Sequence, residues 1–239
     1  ILFIGLTSML FFFLACVIRV LSHPFDRRLV TSHLFSSLWA SFYLWCTPLW
    51  SVKIKGREKL DWNQGYVLVS NHQSQLDILV LFRLFFPFRW VSKAEVFRLP
   101  FIGWNMVLSG YVKLRRGDKL SVARMMADCR ALLNNNISVM IFPEGTRSRT
   151  GLLKPFKPGA FILAKETEKP IVPLVINHSK DALPKHSLRF HGRHRITVTI
   201  LDPVPYAEFR SLSPVDTAER IRRVIMARVS EHQAGAVHG

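Results

Sequence analysis

The sequence has little cysteine and little acid. Its three cysteines, Cys16, Cys46 and Cys129, form no CxxC pair and fall at no metal-ligand spacing, so they read as small buried hydrophobes and point to no oxidising compartment. Asp and Glu total 16 against 33 Lys and Arg, a net charge of +17 with His neutral. Such a deficit of acid implies an anionic partner: a phosphorylated substrate, an acidic membrane surface or nucleic acid. No nucleic-acid motif is present, which removes the last of these as a first reading. There is no GxSxG elbow, so no serine nucleophile of that kind is expected. Internal repeats and low-complexity tracts are also lacking. The first residue is Ile1, and the sequence is expected to lack at least an initiating residue.

Apolar residues are abundant, 49% of the chain with 18 Phe and 6 Trp. A membrane surface would account for this excess and the basic one together. Residues Ile1 to Ile18 carry no charge and Arg19 ends the run, at the short limit for a spanning helix of about 20 residues. Leu14-Ala15-Cys16-Val17 is a poor signal-peptidase site. After a turn over residues 22–28, a second segment from Leu29 to Trp50 sets Trp39, Tyr43, Trp45 and Trp50 among Ser and Thr, as at a headgroup layer. Residues 1–50 are therefore expected to form a two-helix membrane anchor, lying in one leaflet rather than spanning. A hairpin buried in a soluble protein is the bland alternative.

Residues 51–239 are expected to form one α/β domain: a mixed, mostly parallel sheet flanked by helices. Strands are predicted at 52–55, 66–69, 88–91, 110–114, 137–142, 171–176 and 196–201. Helices are predicted at 78–86, from Asp118 to about Asn134, at 159–168, and from Ser213-Pro214 to about Glu231. Residues 180–195 read as a basic loop.

Four groups of residues carry chemistry. In Ser70-Asn71-His72-Gln73-Ser74-Gln75-Leu76-Asp77, a histidine and an aspartate lie five residues apart at a strand-to-helix turn. A carboxylate on one imidazole nitrogen leaves the other free to take a proton from a hydroxyl. The bland reading is a helix-capping Asp beside an incidental His. Phe142-Pro143-Glu144-Gly145-Thr146-Arg147-Ser148-Arg149 also follows a predicted strand. Gly145 permits positive φ, and Arg147 offers a fork of donors for phosphate oxygens. Glu144 is expected to hold Arg147 or Thr146, or to meet a substrate hydroxyl; a plain charged turn is the alternative. Lys113, Arg115 and Arg116 end a strand, where solvated surface cations are the ordinary case. Finally, Lys157 stands just before a helix, where it would support an anion.

Taken in order, these blocks resemble the glycerolipid acyltransferase family, most closely the bacterial-type 1-acyl-glycerol-3-phosphate acyltransferases. Residues 70–77 match its first motif and 142–149 its third, followed by Phe156-x-x-Gly159-Ala160. Ile171-Val172-Pro173-Leu174 resembles its fourth block. In the second block, Arg116 aligns with the family arginine, while Lys113 interrupts the apolar run and Arg115 stands where an acidic residue is frequent.

The resemblance covers residues 52–201 and implies His72 as general base and Asp77 as its orienter. It implies Arg116, Glu144, Gly145, Thr146 and Arg147 as the phosphate site, with Lys113 and Lys157 as further candidates. The implied reaction acylates lysophosphatidic acid to phosphatidic acid from acyl-CoA or acyl-ACP (a thioester of coenzyme A or acyl carrier protein), with no bound cofactor and no metal. It also implies a membrane bilayer as partner, at the cytoplasmic face of the inner membrane, and no nucleic acid. Two alternatives remain at this point: another lysophospholipid or an ornithine-type lipid as acceptor, and a non-catalytic basic module that binds lipid or nucleic acid.

Overall fold

The computed structural model describes residues 2–148, 152–183 and 192–235, with side chains to Val229. Arg149 and half of the basic loop, residues 184–191, lie outside them.

Among the described residues seven strands form one sheet: β1 Trp50–Lys55, β2 Val67–Ser70, β3 Phe88–Lys93, β4 Val112–Leu114, β5 Ser138–Ile141, β6 Ile171–Asn177 and β7 His194–Ile200. Their spatial order is β1-β7-β6-β2-β5-β3-β4. Neighbours from β6 to β4 are parallel, β7 is antiparallel to β6, and β1 is parallel to β7. The sheet is thus mixed and mostly parallel, as the alternating pattern implied. β6, β2, β5, β3 and β4 all end at the same edge. β2 and β6 are buried throughout, which is why both read as unbroken apolar runs.

Alternate strand residues feed two cores. Leu68, Met140, Val172, Phe88 and Trp90 face α2 (Val30–Trp45) and α3 (Leu76–Phe82). Val67, Val69, Val139 and Ile171 face α5 (Lys119–Asn134), α6 (Gly159–Glu166) and α8 (Pro214–Gly235). Asp118 caps α5 by accepting the Ser121 N–H at 3.0 Å. β4 starts two residues later than expected, because Gly110 turns there with φ +66°; a Cβ on it would come within 3.0 Å of Leu29 Cδ1. α3 ends at Phe82 rather than Phe86, and the chain then turns through Phe85 at φ +48°.

The N-terminal region departs from expectation. Among the described residues one helix, α1 (Leu2–Ser22), is long and apolar enough to cross a membrane by length and composition, and its outer face is bare. α2 is different, which corrects the two-helix anchor. Its Ser32, His33, Ser36, Ser37 and Ser41 are buried against the α/β body. Ser36 Oγ donates to Ser32 O and Ser37 Oγ to His33 O, so burying these two is inexpensive, whereas Ser32 Oγ and Ser41 Oγ meet no partner among the described residues. His33 packs among Phe82, Phe88 and Tyr111, with Nδ1 3.0 Å from Tyr111 Oη. Burial, then the nearby Arg89 guanidinium, push its pKa well below the usual histidine value.

Candidate active site

The site begins with how β2 ends. Asn71 extends the ladder with its side chain: Nδ2 donates to Ile176 O at 2.8 Å, and Oδ1 accepts the Ile176 N–H at 2.8 Å. This pins the turn to β6 and aims the next residue, His72, over the sheet's C-terminal edge. His72 Nδ1 lies 2.8 Å from Asp77 Oδ2. The same oxygen accepts the N–H groups of Gln73 at 2.7 Å and Ser74 at 2.8 Å. Asp77 is fully buried, and its Oδ1 meets no donor among the described residues. All its hydrogen bonding therefore runs through the oxygen that holds the imidazole. Asp77 does not cap α3, whose N-cap is Gln75 with no side-chain bond; it ties down the turn that carries the histidine. The His72 ring stacks on Phe142 at 4.0 Å between centroids and 12° between planes, and Phe142 in turn stacks on Trp90. The imidazole is thus fixed by a carboxylate at one nitrogen and an aromatic face beneath. Nε2 remains to exchange a proton.

The second loop leaves β5, the strand next to β2. Glu144 is buried and grips two backbone segments: Oε1 accepts the His72 N–H at 2.8 Å, and Oε2 accepts the Lys154 N–H at 3.1 Å. Among the described residues Glu144 makes these bonds to the backbone of the His72 turn and of Lys154, rather than to Arg147 or Thr146 as the sequence had suggested. Burial raises its pKa, opposed by the two N–H donors. A further bond, Ser148 N–H to His72 O at 2.9 Å, closes the junction between the loops.

Gly145 adopts φ +71°, and a Cβ there would stand 3.1 Å from Lys157 Cε and 3.2 Å from its Nζ. The glycine thus leaves the space in which the Lys157 ammonium lies. Lys157 N–H bonds Pro143 O at 2.9 Å, locking the position from which this side chain starts. Lys154 Nζ donates to Thr146 Oγ1 at 3.0 Å and to Arg147 O at 3.2 Å, bracing the turn. Sequence reasoning gave Lys154 and Asn71 no role. A lysine three residues before Lys157 was visible, but its target was not.

His72, Asp77, Glu144, Gly145, Thr146, Arg147 and Lys157 therefore gather at the ends of two adjacent strands. The remaining pair does not join them. β4 is three strand spacings from β2, about 14 Å along the same edge. Lys113 and Arg116 are exposed there, and the Lys113 ammonium sits over the Phe97 ring at 5.1 Å from its centroid. Among the described residues no group of three His, Cys, Asp or Glu side chains is placed to hold a metal ion.

Comparison with known proteins yields consistent matches. The family model described as Acyltransferase matches residues 51–177, just over half of the chain. The chain is 38% identical over 190 residues to 1-acyl-sn-glycerol-3-phosphate acyltransferase BAT2, chloroplastic, of Brassica napus, covering 76% of this chain and 55% of that one. It is 36% identical over 183 residues to 1-acyl-sn-glycerol-3-phosphate acyltransferase alpha of Homo sapiens, covering 73% of this chain and 62% of that one. It thus spans less than two thirds of the length of either relative. Among solved structures, the 1-acyl-sn-glycerophosphate (LPA) acyltransferase PlsC from Thermotoga maritima superposes with a TM-score of 0.69 over 96% of this chain and 95% of that one, at 22% identity, a likeness of fold.

Proposed function

Because the chain belongs to the acyltransferase family, we propose that it moves an acyl group from a thioester of coenzyme A or acyl carrier protein to the sn-2 hydroxyl of lysophosphatidic acid, giving phosphatidic acid. The observation that carries this reading is the 2.8 Å contact between His72 Nδ1 and buried Asp77, with the cation-bearing Gly145 turn one strand away. The two curated relatives named above carry this activity in their names, which supports the same acceptor here.

In the proposed reaction His72 Nε2 accepts the hydroxyl proton while the oxygen attacks the thioester carbonyl. A C–O bond forms, the C–S bond breaks, and the departing thiolate takes the proton from the imidazolium. Asp77 stabilises that imidazolium and keeps the proton-bearing nitrogen turned inward. Arg147, Thr146 and Lys157 supply the acceptor's phosphate with cationic and hydroxyl donors around a glycine that lets them approach. Glu144 serves this site by shape, since its carboxylate holds the backbone of both loops. Arg116 and Lys113 lie far enough along the edge to meet only an extended part of a substrate.

The membrane reading rests on α1 and its neighbours. Phe3 stacks on Phe42 and Phe11 packs on Phe35 and Trp39, so α1 runs antiparallel along α2. Phe12 meets Phe101 and Trp104 beside α4 (Ile102–Leu108). A helix held lengthwise against the body cannot cross a bilayer without dragging α2 in with it. It lies flat, presenting Leu6, Leu10, Phe13 and Val17 to the acyl chains together with Ile102, Trp104 and Val107. Arg19, Arg27 and Arg28 at its end favour the cytoplasmic face.

The test is mass spectrometry of products after the purified protein receives lysophosphatidic acid and, in parallel, acyl-CoA and acyl-ACP. Phosphatidic acid should form with at least one donor and be absent with His72→Ala. Near-normal product from a folded His72→Ala protein refutes the mechanism. Turnover only of acceptors without a phosphate refutes the assignment of lysophosphatidic acid.

A further inference from the structure

A second cationic recess lies at the far end of α1. The turn into α2 forms an open cleft of about 500 Å³ lined by Arg19, His23, Pro24, Asp26 and Arg27. Arg19, in the last turn of α1, is half-buried, and its Nη1 meets no acceptor among the described residues. A half-buried guanidinium with an unmet N–H favours an anionic partner.

Asp26, the carboxylate at hand, is engaged elsewhere. Its Oδ1 accepts the Val30 N–H at 2.8 Å and its Oδ2 the Thr31 N–H at 2.7 Å, capping α2. The cleft therefore presents two arginines, with His23 beside them, to a carboxylate already bonded to other donors. Its rim is greasy: Val20, Leu21 and Phe25 are 72%, 71% and 90% exposed. An anion with an apolar body fits both halves.

This recess is separate from the site at His72. Arg28, next to Arg27 in the chain, donates to the carbonyls of Trp62 and Asn136, which precede β2 and β5. The recess thus sits at the strands' N-terminal ends, the opposite edge of the sheet from the catalytic turn.

We propose that this cleft binds the phosphate of an anionic phospholipid that is not the reacting acceptor. Arg19 and Arg27 hold the headgroup while Val20, Leu21 and Phe25 meet its chains. The contact fixes the depth and roll of α1 at the end farther from Tyr43, whose hydroxyl is bonded to Thr7 and Ser8 near the helix start.

The test is a side-chain NMR titration of the full chain in neutral detergent, following the Arg19 Nε–H and the His23 ring. Three probes are used: dihexanoyl phosphatidylglycerol below its micelle concentration, dihexanoyl phosphatidylcholine, and inorganic phosphate. Phosphatidylglycerol should give a saturable shift at Arg19, and Arg19→Lys, which keeps the charge and loses the planar fork, should weaken binding about tenfold. Arg27→Gln is the second variant, and circular dichroism checks that each folds. Equal binding of inorganic phosphate overturns the lipid assignment. No shift with phosphatidylglycerol, or unchanged binding by both variants, overturns the site. Lysophosphatidic acid acylation in micelles is measured in parallel. Acylation without headgroup binding sinks only this proposal, and headgroup binding without acylation sinks only the proposed enzyme activity.

Discussion

Replacing Glu144 with Gln tests how the site is held together. The carboxylate accepts two backbone N–H groups from separate loops, His72 at 2.8 Å and Lys154 at 3.1 Å. Glutamine has one acceptor oxygen; its amide NH₂ must face the other N–H, donor against donor. The change removes a charge-assisted bond of about 1.5–3 kcal/mol and strands a buried donor at about 1–3 kcal/mol. Relief of the buried charge offsets part of this, since burial is what raises the pKa of Glu144. A net loss of about 2 kcal/mol is expected, or roughly 4–8 °C in Tm for a chain of this size.

The catalytic effect of Glu144→Gln should be larger, because the slackened bond carries His72 itself. A displacement near 1 Å costs about 10²-fold. We expect kcat to fall on that scale with KM for lysophosphatidic acid nearly unchanged, in steady-state assays with the acceptor varied. A raised KM at unchanged kcat would mean that Glu144 touches substrate, and would refute the clamp.

The pH dependence adds a second check on Glu144. The clamp needs the ionised carboxylate, so activity should decline as pH falls through its raised pKa. Stability moves the other way. The folded value lies above the unfolded 4.5, so the folded state binds the proton more tightly between the two. The contribution of Glu144 to stability therefore diminishes as pH rises through that window and is level above it. In Glu144→Gln the Glu144 share of both dependences should vanish, leaving that of the other titrating groups.

Three further outcomes follow. Asp77→Asn should lower kcat about 10²–10⁴-fold in the same acylation assay while leaving membrane binding intact, because an amide can present a donor to Nδ1 and undo the orientation of the imidazole. Gly145→Ala should raise KM for lysophosphatidic acid about tenfold, since a Cβ 3.1 Å from Lys157 Cε displaces that ammonium, and positive φ adds about 1 kcal/mol of strain visible in thermal melts. The wild type should lose stability on acidification below about pH 6.5, by up to about 1.4 kcal/mol per pH unit from His33 alone, because its folded pKa lies well below the unfolded 6.5 and only the unfolded state takes the proton there. His33→Phe should flatten this loss in melts compared at pH 5 and pH 7.5, and an unchanged slope refutes the assignment to His33.

The parts of the site legible in the sequence are those whose partners are close in the chain. His72 and Asp77 are five residues apart, and the turn between them supplies both backbone donors to the carboxylate. Glu144 was visible as a charged residue beside a glycine. Its partners were not, because backbone N–H groups carry no side-chain signature and His72 is 72 residues away. α2 misled for another reason. Tryptophan, tyrosine and serine suit a headgroup layer, but they equally suit a helix packed on a sheet, where small serines allow close approach and bond back to their own helix. Trp39 is 5% exposed and Ser37 fully buried, so the polar stripe faces inward. Composition does not distinguish the two environments; the buried His33 between Phe88 and Tyr111 does.

Strand order decides what the cationic groups can do. Read along the chain, each basic cluster follows a strand, and parallel strands put every such end on one edge. Local sequence carries no information on which strands are neighbours. The chain leaves β2 through α3, yet the strand beside β2 is β5, reached after two others, with β6 on its far side. This places the Gly145 turn, 73 residues from His72 in sequence, next to it in space, and leaves Arg116, 44 residues away, two strands farther out. By strand order the end of β4, which Arg116 follows, stands about 10 Å farther from His72 along the edge than the end of β5, which the Gly145 turn follows.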